Sequence, residues 1–124
     1  MANQDTNVTT EELNAATDIL IAVIAIDNKI DQTEVNQFKL QLNGTSFNSH
    51  TELKQNAIAF VENDLSACVH IFDHKFIMER SELVKSQELR QDVVMAAVAI
   101  SFADRHYHDN ERSAVNALRE AWSL

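Results

Sequence analysis

Proline is absent from all 124 residues, and glycine occurs once, at Gly44. Sheet-rich domains rely on both residues for their turns, so a chain with almost neither is expected to be nearly all helical. The length suits a single domain, and 45% hydrophobic content is enough to build a core.

Two segments are apolar all round: Ile19–Ile26 (ILIAVIAI) and Val93–Ile100 (VVMAAVAI). Each is far shorter than the roughly 20 residues that span a bilayer, so each is predicted to be a buried central helix. Around them lie helix start signals. Thr9-Thr10-Glu11-Glu12 has the form of a capping box and opens a helix running to about Asp27, after a flexible polar stretch over 1–8. Asp31-Gln32-Thr33-Glu34 is a second box; its helix carries Val35, Phe38 and Leu42 on one face and ends at Asn43-Gly44. Ser49-His50-Thr51-Glu52 is a third, opening a long helix to about Arg80, bent near Asn63-Asp64. Its core stripe is Ala57, Val61, Leu65, Cys68, Val69, Phe72 and Phe76. Ser81 to Glu88 is polar with room for a short helix, and a final helix presents Val115, Leu118 and Trp122 inward. The expected fold is therefore all-α: one compact domain over 9–124, with six to seven helices and two pseudo-repeated hairpins around two buried central helices.

The formal net charge of −9, from 19 acidic against 10 basic residues, opposes binding to nucleic acid phosphate or anionic lipid. It favours cations or a basic protein partner, and it is compatible with a homodimer. Cys68 is the single cysteine and belongs to the apolar stripe, where a small buried hydrophobe is the expected role. No positively charged start followed by an apolar stretch marks a signal peptide, so a cytoplasmic location is expected. There is no glycine-flanked serine nucleophile, phosphate-cradling loop or cysteine in a basic pocket, and no enzymatic activity is expected.

Both apolar runs end in an aspartate with a glutamate seven residues later, in AIDNKIDQTE (25–34) and FADRHYHDNE (102–111). Superimposing Asp27 on Asp104 places Ala22 on Ala99, Ile30 on Tyr107, Glu34 on Glu111 and Phe38 on Val115. Capping explains Asp31, Asp109 and Glu34 and, turn by turn, accounts for more of the pattern than metal binding does. It leaves Asp27 and Asp104 unexplained, because an aspartate at a helix C-terminus opposes the macrodipole by about 0.3–1 kcal/mol. A bound cation would reverse that sign. Carboxylates suit magnesium, calcium or manganese, whereas His106 and His108 in the second turn would shift preference toward zinc, copper or nickel. An EF-hand is excluded, since counting Asp27 as its first position puts Lys29 third and Phe38 twelfth. His70 and His74 have the i, i+4 spacing of a helical zinc pair, on an outer face with Ala67, Ile71, Ile77 and Met78. An exposed or packed pair is the plainer explanation of them.

The segments AVIAIDNKIDQTE and AVAISFADRHYHDNE resemble the repeated signature of the tellurite-resistance TerB family: an alanine-rich apolar helix, Asp-Gly, a variable residue, an apolar residue, three more residues and Glu. Asp27, Ile30 and Glu34 match its fixed positions, as do Asp104, Tyr107 and Glu111. The family's helical domain, found also at the N-terminus of membrane-anchored DnaJ-like co-chaperones, is similar in length to the whole chain. The usual glycine is replaced by Asn28 in the first turn and by Arg105 in the second, and His108 stands where the first turn has Asp31. The resemblance implies a bacterial protein of tellurite or general chemical-stress response, without established catalysis. It also implies divalent-metal ligation by Asp27, Asp31, Glu34, Asp104, His108 and Glu111, with calcium, magnesium, manganese or zinc as the candidate ion. Tellurite is itself an oxyanion, so an acidic surface points to an indirect role. The alternative is an acidic interaction module (an adaptor, immunity protein or nucleic-acid mimic) that needs no metal. A third idea is a transition-metal site mixing His106 and His108 with the first turn.

Overall fold

The computed structural model describes residues 8–26, 30–44, 50–103 and 109–124. Among the described residues are six α-helices, two 3₁₀ turns and no strand. The helices are α1 (Thr10–Ala25), α2 (Gln32–Gly44), α3 (Thr51–Asn63), α4 (His74–Ser81), α5 (Gln87–Ser101) and α6 (Asp109–Trp122). The 3₁₀ turns, Leu65–Ala67 and Val69–Ile71, lie between α3 and α4.

The first apolar run makes α1 the axis of the domain. Every residue from Ile19 to Ala25 is buried, which no helix with one wet face could achieve, and α1 packs on α4, α5, α2 and α3. Each large aliphatic side chain removed from water there stabilises the fold by about 1.5–3 kcal/mol. Thr17 is buried in the same helix but satisfied, its hydroxyl donating to the Leu13 carbonyl at 2.7 Å. The second run behaves differently in detail. Helix α5 buries Val93, Ala96, Ala97 and Ile100 along one side, while Met95 is 70% exposed, so its apolar character is not matched by burial all round. Helices α2 and α6 bury their expected faces, Val35, Phe38 and Leu42 on one and Val115, Leu118 and Trp122 on the other. The Trp122 indole N–H donates to the Ser81 carbonyl at 3.1 Å, tying α6 to the end of α4.

The long helix expected over 50–80 is broken. Helix α3 stops at Asn63, Cys68 and Phe72 adopt non-helical backbone angles, and the Asp73 carboxylate then accepts the Phe76 N–H at 2.9 Å to start α4. A side-chain cap supplies the donor's partner that a preceding helical turn would have supplied, so it begins a helix where a continuous one would have run through. Of the predicted stripe, Ala57, Val61, Leu65 and Phe72 are buried, whereas Cys68, Val69 and Phe76 are only half-buried. Ser49 of the third capping box lies outside the described residues, and His50 at the cap position of α3 makes no side-chain cap bond. No helix among the described residues is long and apolar enough to cross a membrane.

Glu12 does more than complete the first capping box. Its Oε2 accepts from the Thr9 N–H and hydroxyl, while its Oε1 accepts the N–H groups of Lys85 and Ser86, both at 2.9 Å, just before α5. Partial burial pushes its carboxyl up, but the hydrogen bonds from Ser86, Lys85 and Thr9 together outweigh that and hold it below its ordinary 4.5. A folded-state value below the unfolded one contributes stability that is complete above the ordinary value and lost as pH falls through the lowered one. At the other end of the chain, Ser123 has φ 58°, and the N–H groups of Ser123 and Leu124 bond to the carbonyls of Glu120 and Arg119. This is a Schellman closure with serine at the position where glycine costs least.

Two outcomes are expected in urea unfolding. Glu12→Gln keeps an oxygen that can accept the Lys85 and Ser86 N–H groups but loses the charge at a mostly solvated site, so it destabilises the domain at pH 7 by about 0.5–1 kcal/mol, and the difference from wild type shrinks as pH drops below the ordinary carboxylate value. Ser123→Gly raises stability by about 0.5–1 kcal/mol by relieving a left-handed backbone at a non-glycine residue.

Candidate metal centre

Two of the six candidate ligands occupy equivalent places. Glu34 is the third residue of α2 and Glu111 the third of α6, each in the first turn of the second helix of a hairpin. A carboxylate there is favoured by the helix dipole, by about 0.3–1 kcal/mol. The dipole does not require burial, yet Glu34 is 2% exposed and Glu111 0%. Glutamate is almost never fully buried unless partnered, and neither side chain is without an interaction. Asp31 is half-exposed and serves α2 as its cap: its Oδ1 accepts the Thr33 N–H at 2.8 Å and also the Thr33 hydroxyl. Its carbonyl accepts the Val35 N–H at 3.1 Å, the first helical bond. The second box therefore works through Thr33, with Glu34 turned into the protein instead of standing exposed beside the cap.

Asp27, Asp104 and His108 lie outside the described residues, as does His106. Among the described residues no three His, Cys, Asp or Glu side chains converge, so Asp31, Glu34 and Glu111 do not form one shared site by themselves. The described candidates, Asp31, Glu34 and Glu111, are all carboxylates, which fit a hard divalent ion better than a soft one. The rival pair does not share one α-helix: exposed His70 belongs to the 3₁₀ turn Val69–Ile71, and His74 is the first residue of α4. The face assigned to them is also divided, because Ile77 is fully buried and Ile71 is 50% exposed.

Nothing in the motif pattern pointed to a third polar centre, on the far flank of α1. Asp18 of α1 pairs with Arg80 of α4, Nε to Oδ2 at 3.2 Å, at the rim of a cavity of about 390 Å³ between α1, α3 and α4. Phe60, Phe72 and Phe76 wall it, with ring centroids 6.0 Å and 4.8 Å apart in edge-to-face pairs, and the Arg80 guanidinium lies 4.5 Å from the Phe76 ring centre. Burial pushes the Asp18 carboxyl above its ordinary value, and the hydrogen bond and charge of Arg80 only partly offset it. The sequence did hold one signal, since Asp18 is the only charged residue between Leu13 and Ile26. Its partner, 62 positions away, carried none.

If Asp31 acts as a cap, Asp31→Ala costs about 1 kcal/mol in chelator-treated protein, the usual worth of an N-cap, as read by urea unfolding.

No curated protein and no solved structure matches the chain. One family does: the profile described as Tellurite resistance protein TerB matches residues 12–124, which takes in both Asp-to-Glu turns and every helix from the first turn of α1 onward. With that match covering nearly its whole length, the chain belongs to the TerB family.

Proposed function

We propose that this TerB domain is a non-catalytic module that binds divalent cations at its two inter-helix turns and acts in tellurite or general chemical-stress response. The observation that carries the reading is the pair of buried glutamates, Glu34 and Glu111, at matching positions after the two turns. Each glutamate keeps an interaction within the fold, and a carboxylate held at matching positions after both turns would offer a further hard oxygen to an ion lying beside it. Each turn would add an aspartate, Asp27 or Asp104, with Asp31 or His108 completing the set, and calcium, magnesium or manganese suits the first turn best. Zinc is the stronger candidate for the second turn, where an imidazole enters. The cation would supply charge neutralisation that pins two helix ends together. Family membership supports this picture, since TerB domains are generally non-catalytic. The net charge of −9 makes direct capture of an oxyanion unfavourable, so resistance would arise through a partner or through structure.

Calorimetry of chelator-stripped protein tests this: saturable binding of calcium, magnesium, manganese or zinc is expected, lost in the first turn by Asp27→Ala and in the second by Asp104→Ala. No binding of any of the four overturns it. Glu111→Gln separates site from scaffold. Without metal it is destabilising by about 1 kcal/mol, because the interaction Glu111 already makes within the fold is weakened. Under metal at a hundredfold excess over Kd, wild type gains about 2.7 kcal/mol that the variant does not.

A further inference from the structure

We propose that the cavity between α1, α3 and α4 binds a small organic amine, its apolar body seated on Phe60 and Phe72 and its ammonium donating to Asp18. The cavity and its charge both point to that class. At about 390 Å³ it lies at the small end of the range for ligand pockets, roughly 300–1,000 Å³, which suits a single-ring or short-chain molecule. Its lining is largely aromatic and aliphatic, with a few polar groups: the Asp18–Arg80 pair, Thr17, and the amides of Asn14 and Asn56. That mixture of apolar wall and a small number of polar groups is the general make-up of a small-molecule site.

The rim is poised for a cation. Arg80 reaches Asp18 through Nε alone, at Oδ2, and among the described residues Oδ1 accepts no hydrogen bond. Asp18 is the only charged residue between Leu13 and Ile26, and its pairing with Arg80 leaves one carboxylate oxygen open toward the cavity lining. The Arg80 guanidinium over Phe76 shows that the ring faces here accept positive charge, which is the attraction an ammonium over a neighbouring ring would use. The net charge of −9 raises the local concentration of cations and lowers that of anions. None of the residues walling this cavity belongs to the two turns assigned to metal, so the site stands or falls independently of that reading.

The probe is 2-phenylethylamine, added to the full chain at pH 7 in chelator and followed by NMR and calorimetry, with 3-phenylpropionate as the oppositely charged control. Saturable binding of the amine is expected, with shifts at Phe60, Phe72 and the Asn14 and Asn56 side-chain amides and no saturable binding of the acid. Asp18→Asn, which removes the charge with little change of shape, weakens the amine by about tenfold or more, the worth of one hydrogen bond to a charged group. Asn56→Trp, at an exposed rim position that spares the core, blocks it. The proposal is overturned if the amine does not saturate at millimolar concentration, if the acid binds as well as the amine, or if a folded Asp18→Asn protein binds the amine as wild type does.

Discussion

A helix without a wet side dictates this fold. From Ile19 to Ala25, α1 presents apolar groups in every direction, and the only way to remove them all from water is to ring the helix with others. Helices α2, α3, α4 and α5 all pack on it. The Val35, Phe38 and Leu42 face of α2 and the Val93, Ala96 and Ile100 face of α5 are the complementary halves of that requirement. Where the polar residues on α1 fall then matters greatly, because an axial helix offers so few places for them. Thr17 is satisfied within its own helix, Glu12 sits at the mouth of the bundle, and Asp18 opens onto a cavity.

The hairpins built on that axis explain why capping and metal binding are hard to separate in the turn sequences. Asp31 is engaged as a cap through Oδ1 to Thr33, which accounts for its presence without an ion. Glu34 and Glu111 are different: a helix dipole accounts for an acid in the first turn, but an exposed acid would serve the dipole equally well. Their burial goes beyond what the dipole requires, and each side chain keeps an interaction within the fold. The two halves of the chain share that feature more closely than they share sequence.

Helix content and the inner faces of α1, α2 and α6 were legible because they rest on composition and period, which survive without knowledge of the fold. The interruption after α3 was read only as a bend near Asn63-Asp64, where α3 does end, and the fresh start of α4 was not read, although Asp73 stands three residues before Phe76 as a capping aspartate should. A 100° stripe laid through 57–76 assumes a continuous helix, and it returned the right answer at Ala57 and Val61 and a mixed one after Asn63. The same assumption placed His70 and His74 on one helix face. Apolar composition also overstated the burial of α5, where Met95 faces solvent. The turn residues that carry the family signature were visible at once, whereas the Asp18–Arg80 pair required the chain to be folded before its two members met.

The Glu12 carboxylate has a consequence for how the two halves of the chain hold together. It closes the first turn of α1 locally, through Thr9, and it also satisfies the Lys85 and Ser86 amides more than 70 residues on. The local bonds carry little loop-closure entropy, but the distant ones become available only after the intervening chain has been gathered in. The start of α5 is thus stabilised by a group that α1 positions, and by reciprocity the start of α1 is stabilised by α5. Coupling of this kind ties the two halves of the chain into one cooperative unit.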